Sequence, residues 1–188
     1  MIDQLRRKRF TRSEVQRMMD SGLFDGQRYE LIEGDLIDKM GQHPPHAFGI
    51  RFVTAWLLSL FGSLRVQTQL PIEIAREDEE RSMPEPDIAV LAEYKPEYEA
   101  RHPRGDEVLL IVEIADSSVQ LDLRVKARLY ARAGVPEYWV LDVQNRWLVI
   151  HRHLVEGVYR QVTQLAEQEM ATIDGGSILI SKLLPTRT

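Results

Sequence analysis

The chain has 188 residues, 44% of them apolar and 28% charged, with a formal net charge of -5 at pH 7 and no cysteine. That length suits one ordinary domain able to bury a sizeable core, and the lack of cysteine excludes disulfides, thiolate zinc sites and thiol nucleophiles, so any metal must be held by oxygen or imidazole. The acidic balance argues against holding nucleic acid by general electrostatics alone, because phosphate affinity comes mainly from Lys and Arg, while a site that gathers carboxylates around a divalent cation is compatible with it.

No internal repeat or low-complexity run divides the chain. The opening MIDQLRRKRF is basic with no apolar segment after it, and nowhere do roughly 18 apolar residues run together. Neither a signal peptide nor a membrane span is expected, and the expected location is cytoplasmic. Thr11 followed three residues later by Glu14 forms a capping box for a short helix that Gly22 ends. YELIEGDLIDKM, residues 29–40, spells two short strands about a Glu33-Gly34-Asp35 turn, and residues 46–62 a largely buried helix with Gly62 past its end. RVQTQLPIEI then alternates as a strand. The acidic stretch REDEERSMPEPD, residues 76–87, is a loop whose run Glu77 to Glu80 is expected to face water.

DIAVLAEY begins a strand at Asp87, and EVLLIVEIAD is a longer apolar run whose β-branched content marks a central strand buried on both faces. QLDLRVKARLYARAG is a helix, with a 3.6-residue stripe through Leu121, Val125 and Leu129 and a stop at Gly134 and Pro136. EYWVLDV and RWLVIHRHL pair as a hairpin about Gln144-Asn145, and Val158 to Leu165 returns as a third strand after Glu156-Gly157. A helix joining two successive strands of one sheet implies a right-handed crossover, so EVLLIVEIAD and EYWVLDV should be parallel. The expected architecture is an α/β or α+β single domain over 1–188, built on one mixed sheet.

Glu113 interrupts an otherwise apolar strand. A buried carboxylate must meet a cation, a metal or a proton, which leaves a core ion pair and a functional site as equal alternatives. Alternation puts Glu113 and Ala115 on one face and Val112 and Ile114 on the other. The following helix presents Asp122, Lys126 and Tyr130 at four-residue spacing, so Lys126 could reach the Glu113 face. Asp87 follows Pro84 and Pro86, which fix how the chain enters its strand; alone it is a strand-entry residue, and its pairing with Glu113 makes it a candidate ligand. Arg124, Arg128 and Arg132 form either a phosphate-contacting stripe or a solvated helix face. Tyr138, Trp139 and Trp147 suit cross-strand packing or a dimer contact, and a homo-oligomer, most simply a dimer, is expected.

PEPDIAVL, VLLIVEIADSS and LDLRVKARLYARAGVPEYWVLDV, in this order, resemble a bacterial restriction-endonuclease-like family of the PD-(D/E)XK superfamily. The likeness runs from about Tyr29 to about Tyr159, and ARAGVPEYWVLDV is its most specific part. It implies a restriction-endonuclease-like mixed sheet flanked by helices, Asp87 and Glu113 as metal-binding acids, Mg²⁺ or Mn²⁺ as cofactor, and phosphodiester hydrolysis in nucleic acid, with DNA the expected substrate. The chain departs from the superfamily pattern at Ala115, where a lysine is expected two residues after the acid; Lys126 on the next helix matches in its place. Asp122, Glu30 and His46 fall in family-like segments as accessory residues. Their plain alternatives are a surface helix pair with Lys126, a half-exposed strand position and a helix-start residue.

The site so implied would hold a metal through Asp87, Glu113 and the Ile114 carbonyl, with Lys126 orienting a water or neutralising developing charge. Two other functions stay open. One is a nuclease-fold module that binds nucleic acid or regulates without cutting, motivated by Ala115 and the acidic surface. The other is a carboxylate pair acting as general acid and base on a neutral substrate without metal, which Lys126 fits poorly.

Overall fold

The computed structural model describes residues 7–39 and 43–186. Helix α1 (Arg12–Asp20) starts on the expected capping box: Thr11 Oγ1 accepts the Glu14 N–H at 3.2 Å while Glu14 Oε2 accepts the Thr11 N–H at 2.9 Å. Strands β1 (Tyr29–Ile32) and β2 (Asp35–Asp38) form a separate antiparallel hairpin turned at Glu33 and Gly34, both at positive φ. Met40, the end of the expected segment, lies outside the described residues. Helix α2 (Pro44–Phe61) begins two residues before the expected start, because Pro44 and Pro45 occupy a first turn where no backbone N–H is needed.

The main sheet has six strands in the order β3 (Val66–Thr68), β4 (Ile88–Leu91), β5 (Val108–Ala115), β6 (Tyr138–Asp142), β7 (Trp147–Val155) and β8 (Val158–Ala166). Neighbours are antiparallel except β5 and β6, which are parallel as the crossover rule requires. The fold is thus a mixed α+β domain. One expectation fails at β3: RVQTQLPIEI is not one strand, since Gln69 adopts φ 53 and Pro71 has no N–H for a ladder. A second hairpin, β9 (Met170–Ile173) and β10 (Gly176–Leu179), was not anticipated; it lies beside α2, where Gly176 meets Leu60.

Each face of the sheet carries its own core. On one, Val112 and Ile114 of β5 pack with Trp139, Leu141 and Leu148 beneath Val53 and Leu57 of α2, and Trp56 stacks on Trp139 with ring centroids 5.9 Å apart. On the other, Ile111 and Ala115 pack with Tyr138 and Val140 against Leu129 and Tyr130. Glu113 lies between Ile111 and Ala115 on this second face, as strand alternation dictates. The aromatics of the β6–β7 hairpin are satisfied within the chain: Tyr138 lies among Tyr130 and Tyr159, and Trp147 Nε1 donates to Asp142 Oδ2 at 2.8 Å.

The helix after β5 is not uniform. Helix α3 (Val119–Leu121) passes through a π-helical turn (Asp122–Lys126) into α4 (Ala127–Arg132). Arg132 leaves the expected arginine stripe to make a bidentate pair with Asp78, at 2.8 and 2.9 Å, so the acidic loop is tied to α4 there instead of being solvated throughout. Gly105 seats the loop before β5 against the end of the same helix; a Cβ there would lie 2.4 Å from the Ala133 carbonyl oxygen and 2.6 Å from its Cβ. Gly105→Ala is therefore expected to destabilise the fold by about 1–3 kcal/mol, read as a lower urea midpoint at unchanged slope. An unchanged midpoint would show that the loop shifts freely.

Candidate active site

Pro86 and the register of β5 create the site. The odd-numbered residues of β5 turn their backbone groups to β6, as in Ile111 N–H to Glu137 O (3.1 Å) and Val143 N–H to Ala115 O (3.0 Å). The even-numbered residues therefore face β4, whose ladder ends with Ile88 opposite Val112. The next position, opposite Ile114, falls to Pro86, which has no N–H to give. Asp87 engages the strand there through its side chain: its Oδ2 accepts the Ile114 N–H at 2.9 Å, and its own N–H donates to Glu113 Oε2 at 3.3 Å. In that register Pro86 offers no ladder N–H to the Ile114 carbonyl.

Around this pair the fold assembles all six expected residues. Lys126 Nζ lies 2.7 Å from Glu30 Oε1, 3.0 Å from Glu113 Oε1 and 3.5 Å from Asp122 Oδ1. Tyr130 donates to Glu113 Oε1 at 2.8 Å, and Ser118 to Asp122 Oδ2 at 2.5 Å. His46 Nε2 stands 3.2 Å from Asp87 Oδ2, and its buried Nδ1 has no hydrogen-bond partner among the described residues. Glu30 and Asp122 are each 1% exposed, so neither is the half-exposed or surface group of its plain reading, while His46 is a helix-start residue in the first turn of α2 that faces the site. The π turn serves this geometry, since it brings both Asp122 and Lys126 inward, where they are buried together.

One residue escaped the sequence reading. Lys39, just past β2, donates to the Glu85 carbonyl at 3.1 Å and to Asp87 Oδ1 at 3.3 Å. Its only signal was its place at the end of the YELIEGDLIDKM hairpin, which already carried Glu30. Both lysines, His43, His46 and the four buried acids line a cavity of about 250 Å³. Other buried acids of the chain are satisfied structurally: Asp142 by Asn145 and Trp147, and Glu107 by Arg101 and Lys95.

Four carboxylates here face two ammonium groups. Burial pushes the Glu113 carboxyl up to about 8, with the Asp87 charge adding to it and Lys126 offsetting only part. Burial raises Asp122 as well. For Asp87, burial is outweighed by the His46 hydrogen bond and the Lys39 charge, which hold it well below the usual carboxylate range. Burial opposes the Lys126 charge, yet Glu113, Glu30 and Asp122 keep its ammonium well above the ordinary lysine value. The folded chain thus holds a proton on Glu113 at neutral pH, whereas the unfolded chain titrates near 4.5. That contribution to stability is complete below the unfolded value and is lost as pH rises through the folded one. The denaturation midpoint should fall between about pH 5 and 9, and Glu113→Gln should flatten that fall; an equal slope in the variant would assign the titration elsewhere.

Residues 13–176 match the protein family Uma2, described as "Putative restriction endonuclease". The chain belongs to the Uma2 family. Among solved structures, it is similar to one titled as a putative nuclease belonging to DUF820 from Anabaena variabilis ATCC 29413, with a TM-score of 0.68 and 15% identity over 93% of this chain and 97% of that one. At that identity the likeness concerns the fold, which is nuclease-like. No curated protein matches the chain. Among the described residues, no helix is long and apolar enough to cross a membrane.

The donor set of this Uma2 chain fits a hard divalent cation. Asp87 and Glu113 offer buried carboxylate oxygens joined through the Asp87 N–H, and the acids lining the cavity outnumber its two lysines, so a divalent charge would balance the pocket. No three His, Asp or Glu side chains are gathered at ligating geometry among the described residues. A magnesium-type site does not need a third, because it holds its ion through one or two carboxylates and keeps several waters.

Proposed function

We propose that this chain is a Mg²⁺- or Mn²⁺-dependent endonuclease that hydrolyses phosphodiester bonds in DNA. The observation that carries this reading is the meeting of the buried Asp87 and Glu113 carboxylates, joined through the Asp87 N–H and lying in the register where Pro86 offers no N–H to the Ile114 carbonyl. Asp87, Glu113 and that carbonyl would hold the cation. When bound, the cation supplies Lewis-acid stabilisation of charge on the phosphate and a water of lowered pKa.

The chain's own residues prepare that chemistry. The Ile114 N–H and His46 fix Asp87 in its rotamer and keep it ionised, ready to ligate at any pH above the acid range. Tyr130 and Lys126 fix Glu113 from the opposite side. Glu30 and Asp122 flank Lys126 and hold its ammonium against Glu113. Because Glu113 holds a proton below about 8, metal uptake must release it, so cleavage should weaken as pH falls below that value.

Plasmid and linear DNA incubated with the full chain and Mg²⁺ or Mn²⁺ test the proposal. Cleavage that a chelator stops supports it. Binding without cutting that persists in chelator identifies a non-hydrolytic module, and hydrolysis of a sugar in chelator, with two carboxylate limbs in its pH profile, identifies an acid–base enzyme.

A further inference from the structure

Two lysines enter the cavity, and their surroundings differ. Lys126 has three N–H groups and three carboxylate neighbours within 2.7–3.5 Å, with its side chain 3% exposed. Its ammonium is enclosed by these acids and hydrogen-bonded to Glu113 Oε1, deep in the cluster. Lys39 has the opposite character. Its side chain is 10% exposed, its contacts of 3.1 and 3.3 Å are long for a charged donor, and its next acid, Glu30, is 4.0 Å away. Its backbone is nonetheless held, since the Lys39 N–H donates to the Arg28 carbonyl at 2.9 Å and continues the β1–β2 hairpin. A positioned stem with a loosely engaged ammonium at the mouth of an acidic cavity suits an anionic ligand.

Resting on the nuclease reading, we propose that Lys39, and not Lys126, is the catalytic lysine that meets the phosphate oxygen of the substrate, while Lys126 is a positioning residue that fixes Glu113. Lys39 sits on the outer oxygen of Asp87, opposite the side where Asp87 accepts Ile114 and His46. A phosphate drawn to the two acids through a shared cation would pass this ammonium, and Lys39 would exchange its long bond to Asp87 for one to a phosphate oxygen.

Reductive methylation of the folded, unmodified chain, mapped by peptide mass spectrometry, tests the assignment without relying on turnover. A short DNA duplex or its single strands with Ca²⁺, at about ten times the Kd, should slow labelling of Lys39 by about tenfold. The exposed Lys182 serves as the unaffected reference, and Lys126 should stay unlabelled in both conditions. Lys39→Met should lower kcat on the order of 10²-fold with KM little changed, and Lys39→Arg should recover part of it. Lys39 labelling that DNA does not slow, labelling of Lys126 as fast as that of Lys39, or full kcat in Lys39→Met would each overturn the assignment. A wild type that cuts while Lys39 is unprotected removes Lys39 and keeps the nuclease. A wild type that never cuts while DNA protects Lys39 removes hydrolysis and keeps the contact. Because labelling uses the natural sequence, it decides even where a Lys39 variant fails to fold.

Discussion

Asp87→Asn should cost DNA cleavage on the order of 10³-fold while leaving the chain folded, since forfeiting about 4 kcal/mol of metal-borne charge stabilisation corresponds to roughly that factor. The asparagine oxygen can still accept the Ile114 N–H, which is the structural duty of Asp87 Oδ2. What it loses is the negative charge that faces Lys39 and the proposed cation. Glu113→Gln should show the same loss for a sharper reason. The folded chain already prefers a neutral group at 113 near pH 7, and glutamine keeps an oxygen for Tyr130 and Lys126. The variant should therefore be at least as stable as wild type at about pH 8 yet inactive, the pattern of a residue kept ionisable for function at a cost in stability. Kinetics on a nicked-plasmid assay, beside urea unfolding of each variant, would measure both. Full activity in either variant would remove it from the site.

Lys126→Met carries the second large expected effect, and it falls on stability. Removing the ammonium leaves Glu30, Glu113 and Asp122 together without their shared cation, each 1–2% exposed, and breaking a buried ion pair from one side costs about 3–5 kcal/mol. That is a large part of a typical domain's margin of roughly 5–15 kcal/mol. The sign with pH follows from the acids. Without Lys126 the folded pKa values of Glu113 and Asp122 rise further, so stability is retained where they are protonated and lost as pH increases. Lys126→Met should thus unfold at much lower urea near neutral pH than wild type and recover part of the gap in mild acid. Adding Glu113→Gln should restore more than an additive effect predicts, because the two residues touch at 3.0 Å. A loss below about 1 kcal/mol with no pH dependence would mean that Lys126 is not the counter-ion of this cluster.

The resemblance at Asp87, Glu113 and Lys126 pointed to residues that the fold brings together, and half-buried His46 joined them along with Glu30 and Asp122, whose burial their local sequence did not announce. Asp122 illustrates the difficulty. An acid four residues before a lysine on an amphipathic helix is ordinarily a solvated pair, and only the π turn, set by how the helix packs against β5, carries both groups inside. Trp139 and Tyr138, read as packing or a dimer contact, turned out to be packed within the chain. Lys39 went unseen because a lysine ending a short hairpin gives no periodic signal of the face it will meet.

The sequence by itself determined those features that depend on neighbours a few residues apart: the capping box at Thr11, the period-two alternation that sends Glu113 to one face of β5, the hairpin after β6 and the parallel crossover that precedes it. Each is written in propensity and periodicity, which local backbone geometry converts directly into structure. Only the tertiary structure decided which charges meet. The β1–β2 hairpin lays Glu30 against Lys126 and Lys39 against Asp87 across long stretches of chain. Pro86 denies the Ile114 carbonyl a ladder N–H only because the register sets the two opposite each other. Pairings of this kind depend on loop closure and burial, and buried charge is tolerated only where a partner from another element arrives.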